Sequence, residues 1–334
     1  MESRTFIAVI EDVLRRREFG PAVGLAALII TLSFLTDNLF TRQELNGVSS
    51  LSAAIGLVAI GVTFLMISGE FDLSVGAVFA LSAVVWGKLM GEHNVNPLLA
   101  LAIVLLMAMG IGLTNGLITT QFGIPSFITT LAALLIVQGI DLVLTGGNTI
   151  VYFGHSKVVS MFGGEIGSTT IEARVLWFVG LTAALWYVLE RTPYGNATHA
   201  AGGRAGVARA MGISTRRVKT SNFVVCSLFA ALAGVMQFAS YGAASANDGQ
   251  DYELFVIVAA VIGGTSLFGV TGTIIGTFIG AVILGLLQTG LILVGVSGSW
   301  YTPLIGVILV VAVIVNVRLA NLSIRGAMAR FALD

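Results

Sequence analysis

The chain has 334 residues, of which 56% are hydrophobic and 10% charged, and its mean hydropathy is +0.97. Polar residues are too few to cover the surface of a soluble protein of this length, so the composition predicts a membrane protein with several spans. The formal net charge is zero, which gives no indication of a nucleic-acid partner, and the single cysteine, Cys226, excludes an internal disulfide.

Ten apolar segments, bounded by charged residues or by Gly and Pro, approach the roughly 20 residues that a helix needs to cross the hydrocarbon. Charge-free runs of this length favour helices over barrel strands, which need only about 10 alternating residues. We therefore predict an all-α polytopic membrane protein with about ten transmembrane helices. The predicted spans are residues 21–37, 47–69, 73–90, 97–120, 125–145, 173–190, 220–243, 254–269, 272–295 and 300–317.

The basic residues indicate how these spans are oriented. Of the 17 Lys and Arg residues, thirteen lie before residue 21, between residues 191 and 219, or after residue 317, which places them all on one face. The positive-inside rule makes this face the cytoplasm and puts both termini there. The predicted parts are a cytoplasmic segment (1–20), a transmembrane domain (21–318) and a cytoplasmic tail (319–334). Residues 11–18 are charged and lack a small-residue cleavage site, so no cleavable signal is expected.

Two acidic clusters lie between predicted spans, at residues 70–74 and 248–253. If the spans form two five-helix repeats of inverted topology, the clusters occupy corresponding positions on opposite sides. Carboxylates at the ends of pore-lining helices accept several hydrogen bonds from a hydroxylated solute. For Asp72 we favour a structural alternative, in which the carboxylate caps the first N–H groups of the following helix. The candidate pathway residues in these clusters are Glu70, Asp72, Ser74 and Glu253.

A basic loop, residues 191–219, carries six basic residues and no acidic one. Within it, the Ala-rich stretch 200–213 is predicted to form a short helix that ends at Gly212, because glycine readily adopts the left-handed conformation that terminates helices. A helix in a cytoplasmic loop offers a surface through which another protein could drive this one.

Glycine marks two further features. Gly272, Gly276 and Gly280 recur at every fourth position, which permits close helix packing, either within the molecule, as we favour, or between subunits. Residues 261–272 contain four glycines with Thr and Ser inside a charge-free region, which is typical of a broken or re-entrant helix; a cytoplasmic turn is the alternative. The first interpretation adds the candidate pathway residues Gly263, Gly264, Thr265 and Ser266.

Catalytic and cofactor motifs are not found in the sequence. The Gly87-Lys88 pair lacks the upstream glycine and the following hydroxyl of a phosphate-binding loop. The histidines, His93, His155 and His199, fall in different predicted loops without metal-ligand spacing. We therefore expect no enzymatic activity, no metal site and no cofactor in this chain.

Seven segments, in order along nearly the whole chain, closely resemble the permease subunits of bacterial ribose-type sugar ABC importers. The resemblance implies an inner-membrane subunit that moves a monosaccharide or polyol from periplasm to cytoplasm, within membrane lipid and beside a second copy or a related permease. It also implies an ATPase with two nucleotide-binding halves, which binds ATP and Mg, and a periplasmic substrate-binding protein. The segments are Ile67-Ser-Gly-Glu-Phe-Asp-Leu-Ser-Val-Gly76, Pro125-Ser-Phe-Ile-Thr-Thr-Leu131, Gly139, Thr192-Pro-Tyr-Gly195, Ala201-Gly-Gly-Arg-Ala-Gly-Val-Ala-Arg-Ala-Met-Gly-Ile213, Tyr252-Glu-Leu254 and Val261-Ile-Gly-Gly-Thr-Ser-Leu-Phe-Gly269.

The resemblance also assigns roles to the basic loop. The family's ATPase-contacting loop, Gly-Gly-Asn-x-x-Ala-Ala-x-x-x-Gly-Ile, maps onto residues 202–213. This chain departs from it at Arg204, where Asn is common. The acid at Glu70, close to the family's Gly-Ile-Asp-Leu-Ser sequence, points to a substrate other than plain ribose. The implied ATPase-coupling residues are Gly202, Gly203, Arg204, Val207, Arg209, Met211, Gly212 and Ile213.

Two other transporter classes remain as alternatives. One is a nucleoside-type ABC permease, which would share the same permease architecture. The other is an ion-coupled secondary transporter, which would require acids or histidines inside its spans, and here only Asp141 has such a position.

Overall fold

The computed structural model describes residues 18–154, 156–167, 169 and 171–314. Over these residues the chain is mainly helical, and two short strands, β1 (Ile150–Val151) and β2 (Ala243–Ala244), pair antiparallel with Ile150 opposite Ala244. The helices are α1 (Phe19–Leu35), α2 (Arg42–Ile67), α3 (Val75–Gly91), α4 (Pro97–Phe122), α5 (Ser126–Thr145), α6 (Lys157–Gly163), α7 (Ala173–Arg191), α8 (Pro193–Gly202), α9 (Ala205–Ala210), α10 (Thr215–Tyr241), α11 (Tyr252–Ile262), α12 (Ile274–Leu293) and α13 (Gly298–Ile314, beginning with a 3₁₀ turn).

Within the described ranges, six helices are long and apolar enough to cross a membrane: α2, α4, α5, α7, α10 and α12. Four shorter apolar helices, α1, α3, α11 and α13, fall in the remaining predicted spans. The prediction of a helical polytopic membrane protein is confirmed, while the number of crossings stays a prediction.

Helix α11 is shorter than the sequence suggested. The predicted span 254–269 is too long, because the helix ends at Ile262. At about 1.5 Å per residue it is roughly 16 Å long, about half of the ~30 Å hydrocarbon core. The predicted tail (319–334) and most of the N-terminal segment (1–20) lie outside the described residues, so the side on which the termini lie also stays a prediction.

Helix α2 forms the centre of the molecule. Residues 55–67 are all buried, and α2 contacts α7, α8, α10, α11 and α12. Two glycines allow aromatic side chains to approach its backbone: a Cβ at Gly56 would overlap the ring of Phe178, and a Cβ at Gly61 would lie 2.9 Å from Phe229 Cβ. A helix that is apolar on every side suits this position, since it has no face that requires water.

The glycine ridge of α12 packs within the molecule, as we favoured. A Cβ at Gly276 would overlap the carbonyl oxygen of Gly263, and a Cβ at Gly280 would overlap that of Ala259 in α11. Gly272 lies just before α12, where a Cβ would be 2.7 Å from Ile67 Cγ1. The ridge therefore lets α12 lie directly against the backbone of α11.

The helices α4, α5 and α7 form the outer side of the subunit. Only 28%, 22% and 22% of their apolar 18-residue stretches are buried, so most of their apolar side chains face outwards. On its inner side α4 packs closely on α10, where a Cβ at Gly112 would lie 2.6 Å from Phe223 O and one at Gly116 would lie 2.8 Å from Thr220 Cα. Such outward apolar surfaces suit contact with lipid or with another membrane subunit.

Candidate functional site

A cavity of about 210 Å³ lies between the first turn of α3, the middle of α5 and the segment that leads into α11. Its polar lining consists of two amides and two carboxylates, and none of the described residues that line it is basic. These groups form hydrogen bonds readily with hydroxyl groups. The polar lining residues are Gln138, Gln250, Asp251 and Glu253, while Ala77 and Leu134 contribute apolar surface.

Two glycines bring the cavity wall close to α3. A Cβ at Gly249 would overlap the carbonyl oxygen of Gly76, so the loop before α11 touches the backbone of the first turn of α3. A Cβ at Gly76 would lie 2.7 Å from Glu253 Oε2. The carboxylate of Glu253 therefore lies beside the N-terminal turn of α3, where the helix dipole favours negative charge.

Asp72 and Ser74 are buried just before α3 and do not line the cavity. Asp72 Oδ1 accepts hydrogen bonds from Ser74 N (2.8 Å) and Ser74 Oγ (2.6 Å), and Asn115 Nδ2 of α4 donates to Ser74 Oγ (3.0 Å). Asp72 Oδ2 has no hydrogen-bond partner among the described residues. The carboxylate thus holds the residue immediately before α3, rather than the first N–H groups of the helix as the capping alternative expected.

Glu70 is paired with a lysine that the sequence analysis did not connect with it. Lys219 Nζ lies 2.6 Å from Glu70 Oε1, and the lysine and glutamate side chains are only 21% and 15% exposed. Lys219 ends the basic loop and lies in the second turn of α10. The ion pair joins the basic loop to the α2–α3 segment, residues 68–74.

Residues 263–273 form the α11–α12 junction. The candidate pathway residues within it, 263–266, lie away from the cavity. Gly263 follows directly after α11, and Gly264 adopts φ +88°, a conformation that favours glycine. Thr265 is buried and Ser266 is half-buried. At about 1.5 Å per helical residue, Gly263 lies roughly 15 Å along α11 from Glu253. The structure therefore does not bring these residues and the cavity together.

The α11–α12 junction instead contacts the basic loop. Val270 N donates to Ile67 O at the end of α2 (2.9 Å), and His199 Nδ1 of α8 lies 2.6 Å from Val270 O. A Cβ at Gly202 would overlap Ile67 O, so α8 ends against the same part of α2. The ends of α2 and α8 and the junction form one packed unit.

The basic loop folds into two short helices. The prediction of one helix over residues 200–213 is wrong, because α8 ends at Gly202 and α9 begins at Ala205. Gly203 leaves the helical conformation, with ψ −135°, and glycine tolerates such a break at low cost. Gly212 has φ +82°, as expected for a glycine that terminates a helix.

The outer surface of the basic loop combines apolar and basic side chains. Val207 and Met211 are 55% and 75% exposed, and Arg204 and Arg209 are also exposed. Ile213 is half-buried, and its N–H donates to Ala208 O (3.0 Å). Methionine and arginine are residue types that are enriched in the contact surfaces of protein complexes.

Asp141 is buried inside α5, one turn beyond Gln138. Neither of its carboxylate oxygens has a hydrogen-bond partner among the described residues. Over the same part of the chain, no group of three or more His, Cys, Asp or Glu side chains is close enough to hold a metal ion. Asp141 is therefore an acid inside an apolar helix, which is the kind of residue that the ion-coupled alternative requires.

The sequence analysis missed part of the cavity lining. Gln138 could have been found, because an amide inside an apolar span is costly to place in lipid. Asp251 and Gln250 belong to the acidic segment that was singled out, but nothing in their spacing distinguishes them from Asp248, which lies outside this cavity.

These features define a polytopic helical membrane protein with a polar cavity and a loop whose outer surface is apolar and basic. The chain belongs to the family described as branched-chain amino acid transport system / permease component, which matches residues 45–313. It is a multi-pass protein of the bacterial inner membrane.

Individual relatives are similar over most of their length. The ribose import permease protein RbsC of Escherichia coli (strain K12) is 35% identical over 296 residues, which cover 88% of this chain and 92% of the relative. RbsC of Bacillus subtilis (strain 168) is 37% identical over 304 residues, which cover 90% of this chain and 92% of the relative. The fructose import permease protein FrcC of Rhizobium meliloti is 31% identical over 304 residues, which cover 88% of this chain and 84% of the relative. No solved structure gave a significant match. The resemblance to sugar-importer permeases is confirmed.

Proposed function

We propose that this chain is the transmembrane permease subunit of an ATP-driven importer that moves a monosaccharide or related polyol from periplasm to cytoplasm. The observation that carries the proposal is the similarity to ribose and fructose import permeases along nearly the whole chain. The alternatives, a nucleoside permease and an ion-coupled transporter, are not favoured by these relatives.

The cavity lining suits a hydroxylated substrate that carries no negative charge. Its amides and carboxylates can accept and donate hydrogen bonds, while no basic side chain among the described lining residues would attract an anion. We propose that Asp251 and Glu253 contact the solute during passage. Glu70, Asp72 and the residues 263–266 then support the pathway from behind its wall.

The basic loop supports an external source of energy. We propose that an ATPase with two nucleotide-binding halves, which binds ATP and Mg, docks on Val207, Met211 and the surrounding arginines. A periplasmic substrate-binding protein would deliver the solute, and a second copy or a related permease would complete the pore beside lipid. Ten crossings, inverted five-helix repeats and cytoplasmic termini belong to the same proposal.

Uptake in cells that lack their own sugar importers tests the proposal. The permease is expressed with the ATPase and the binding protein encoded beside it, and labelled neutral monosaccharides and polyols are supplied. We expect uptake of at least one of them, and its loss when the ATPase partner loses its catalytic residues. Ion coupling would be favoured if uptake survives inactivation of the ATPase but is abolished by an ionophore. It would also be favoured if the single substitution Asp141→Asn abolishes uptake. Competition by nucleosides but not by sugars would favour the nucleoside alternative.

A further inference from the structure

We propose that the Glu70–Lys219 ion pair is a positioning contact that transmits movement of the basic loop to the helices lining the cavity. The inference rests on the proposed function, and it assigns a role to two residues that do not touch the solute. It is drawn from a continuous series of contacts between the basic loop and the cavity.

The first contact is the ion pair itself. Lys219 is the last basic residue of the basic loop, and Glu70 lies in the α2–α3 segment. The separation of 2.6 Å and the low exposure of both side chains make this contact different from the exposed pairs that contribute little. Removal of either side chain would leave the other charge mostly buried and unpaired, which is costly. The same cost opposes separation of the two groups, so it favours the paired state.

The second set of contacts ties the α2–α3 segment to α5. Phe71 N donates to Ser126 Oγ (3.2 Å), and Leu73 N donates to Thr130 Oγ1 (3.0 Å). Positions 126, 130, 134 and 138 lie on one face of α5, because residues four apart stack along a helix. Leu134 and Gln138 are the residues of that face that line the cavity.

The third set of contacts ties the same segment to α3. Asp72 and Ser74 form their hydrogen bonds immediately before the helix, and Ala77 in the first turn of α3 lines the cavity. A displacement of Glu70 therefore acts on two walls of the cavity at once. The basic loop also approaches this segment through its backbone, because a Cβ at Gly69 would lie 3.7 Å from Gly202 Cα. Two of its side-chain contacts end elsewhere: Tyr194 Oη donates to Asn222 Oδ1 (2.5 Å), and His199 contacts the α11–α12 junction.

Spatial continuity alone does not show coupling, so the test must measure it. The complete complex of permease, ATPase and binding protein is reconstituted in vesicles, and sugar transported and ATP hydrolysed are measured together. The variants are Glu70→Gln, Lys219→Gln, the doubly neutral Glu70→Gln/Lys219→Gln, and the charge-reversed Glu70→Lys/Lys219→Glu. Glu92→Gln is the matched control, since Glu92 forms an ion pair of similar length (2.7 Å) with Lys88 that lies outside this series of contacts.

We expect the single variants to hydrolyse ATP while transporting several-fold less sugar, so that the ATP consumed per sugar rises at least threefold. The doubly neutral variant buries no unpaired charge and should assemble normally, yet remain uncoupled. The charge-reversed variant should recover at least half of the wild-type ratio, because the pair interaction is non-additive. Glu92→Gln should match the wild type.

Three results would overturn the inference. One is an unchanged ratio of ATP to sugar in single variants that assemble normally. Another concerns the doubly neutral variant: wild-type coupling would show that the pair does not transmit movement, and failure to assemble would make the pair purely structural. The last is a charge-reversed variant that is no better coupled than the single variants. If the wild-type complex transports no sugar at all, the proposed function fails, and that result is distinct from these.

Discussion

At the scale of single residues, Glu253 is the cavity residue on which substrate binding should depend most. Its carboxylate lies beside the first turn of α3, where it can accept a hydrogen bond from a hydroxyl group of the solute. A hydrogen bond to a charged group contributes about 1.5–3 kcal/mol. We therefore expect Glu253→Gln to reduce sugar uptake by about tenfold or more, since 1.4 kcal/mol corresponds to about a factor of ten.

The measurement is the concentration dependence of uptake in vesicles with saturating ATP and binding protein. Asp37→Asn is a suitable control, because Asp37 is an exposed acid between α1 and α2 that does not line the cavity. Wild-type uptake in Glu253→Gln would remove Glu253 from the pathway.

A second residue-scale prediction concerns Gly280. A Cβ there would overlap the carbonyl oxygen of Ala259, so Gly280→Ala forces α12 away from α11. Overpacking of this kind costs about 1–3 kcal/mol, and we expect a lower yield of folded permease and an earlier thermal transition.

Gly139→Ala is the matched control for Gly280→Ala, because Gly139 is also in a spanning helix and has no atom within 4 Å of the added Cβ. Its stability should be equal to the wild type or higher by up to about 1 kcal/mol. Equal stability of the two variants would mean that the α11–α12 contact is looser than described.

At the scale of elements, the basic loop should fail selectively when its apolar surface is made acidic. Val207 and Met211 are exposed, so we expect Val207→Asp and Met211→Asp to leave the permease folded while putting a carboxylate into the proposed docking surface. Burying an unpaired charge there costs several kcal/mol. We expect sugar uptake and co-purification of the ATPase to be lost, while the amount of permease in the membrane is unchanged.

The third residue expected in this surface, Ile213, is less informative, because it is half-buried and its loss would also disturb the loop. Met161→Asp is the appropriate control, since Met161 is similarly exposed, at 55%, on α6. Normal ATPase recovery in both Val207→Asp and Met211→Asp would show that the ATPase docks elsewhere.

The elements also show what could be predicted from sequence. The apolar helices were predictable, because hydropathy over about 20 residues reports directly on a span. The division of the basic loop at Gly203 was not, because it depends on the contact of Gly202 with Ile67, which belongs to a distant helix. The same applies to the Glu70–Lys219 pair, whose members are separated by 149 residues. Local patterns predict elements, whereas the site arises from contacts between them.

At the scale of the whole molecule, the orientation can be tested by cysteine labelling. Lys157→Cys and Ser214→Cys introduce exposed thiols on opposite sides of the proposed topology. The native Cys226 is fully buried and should contribute little background. We expect an impermeant thiol reagent to label Lys157→Cys from outside and to label Ser214→Cys only after the membrane is opened. The opposite pattern would reverse the orientation inferred from the basic residues.

The central position of α2 has a consequence for the order in which the subunit is made. Ser52 and Gly56 of α2 meet Gly285 of α12 and Phe178 of α7, which leave the ribosome long after α2 has entered the bilayer. During this interval α2 is surrounded by lipid, which its apolar surface tolerates. Meanwhile Thr63 Oγ1 donates a hydrogen bond to Ala59 O within its own helix (2.8 Å). The hydroxyl group therefore has a partner before Thr277 Oγ1 comes within 2.7 Å of it. A chain that stops before α12 therefore leaves this side of α2 without the helix that packs on it, although the contacts of α2 with α7, α10 and α11 can already form.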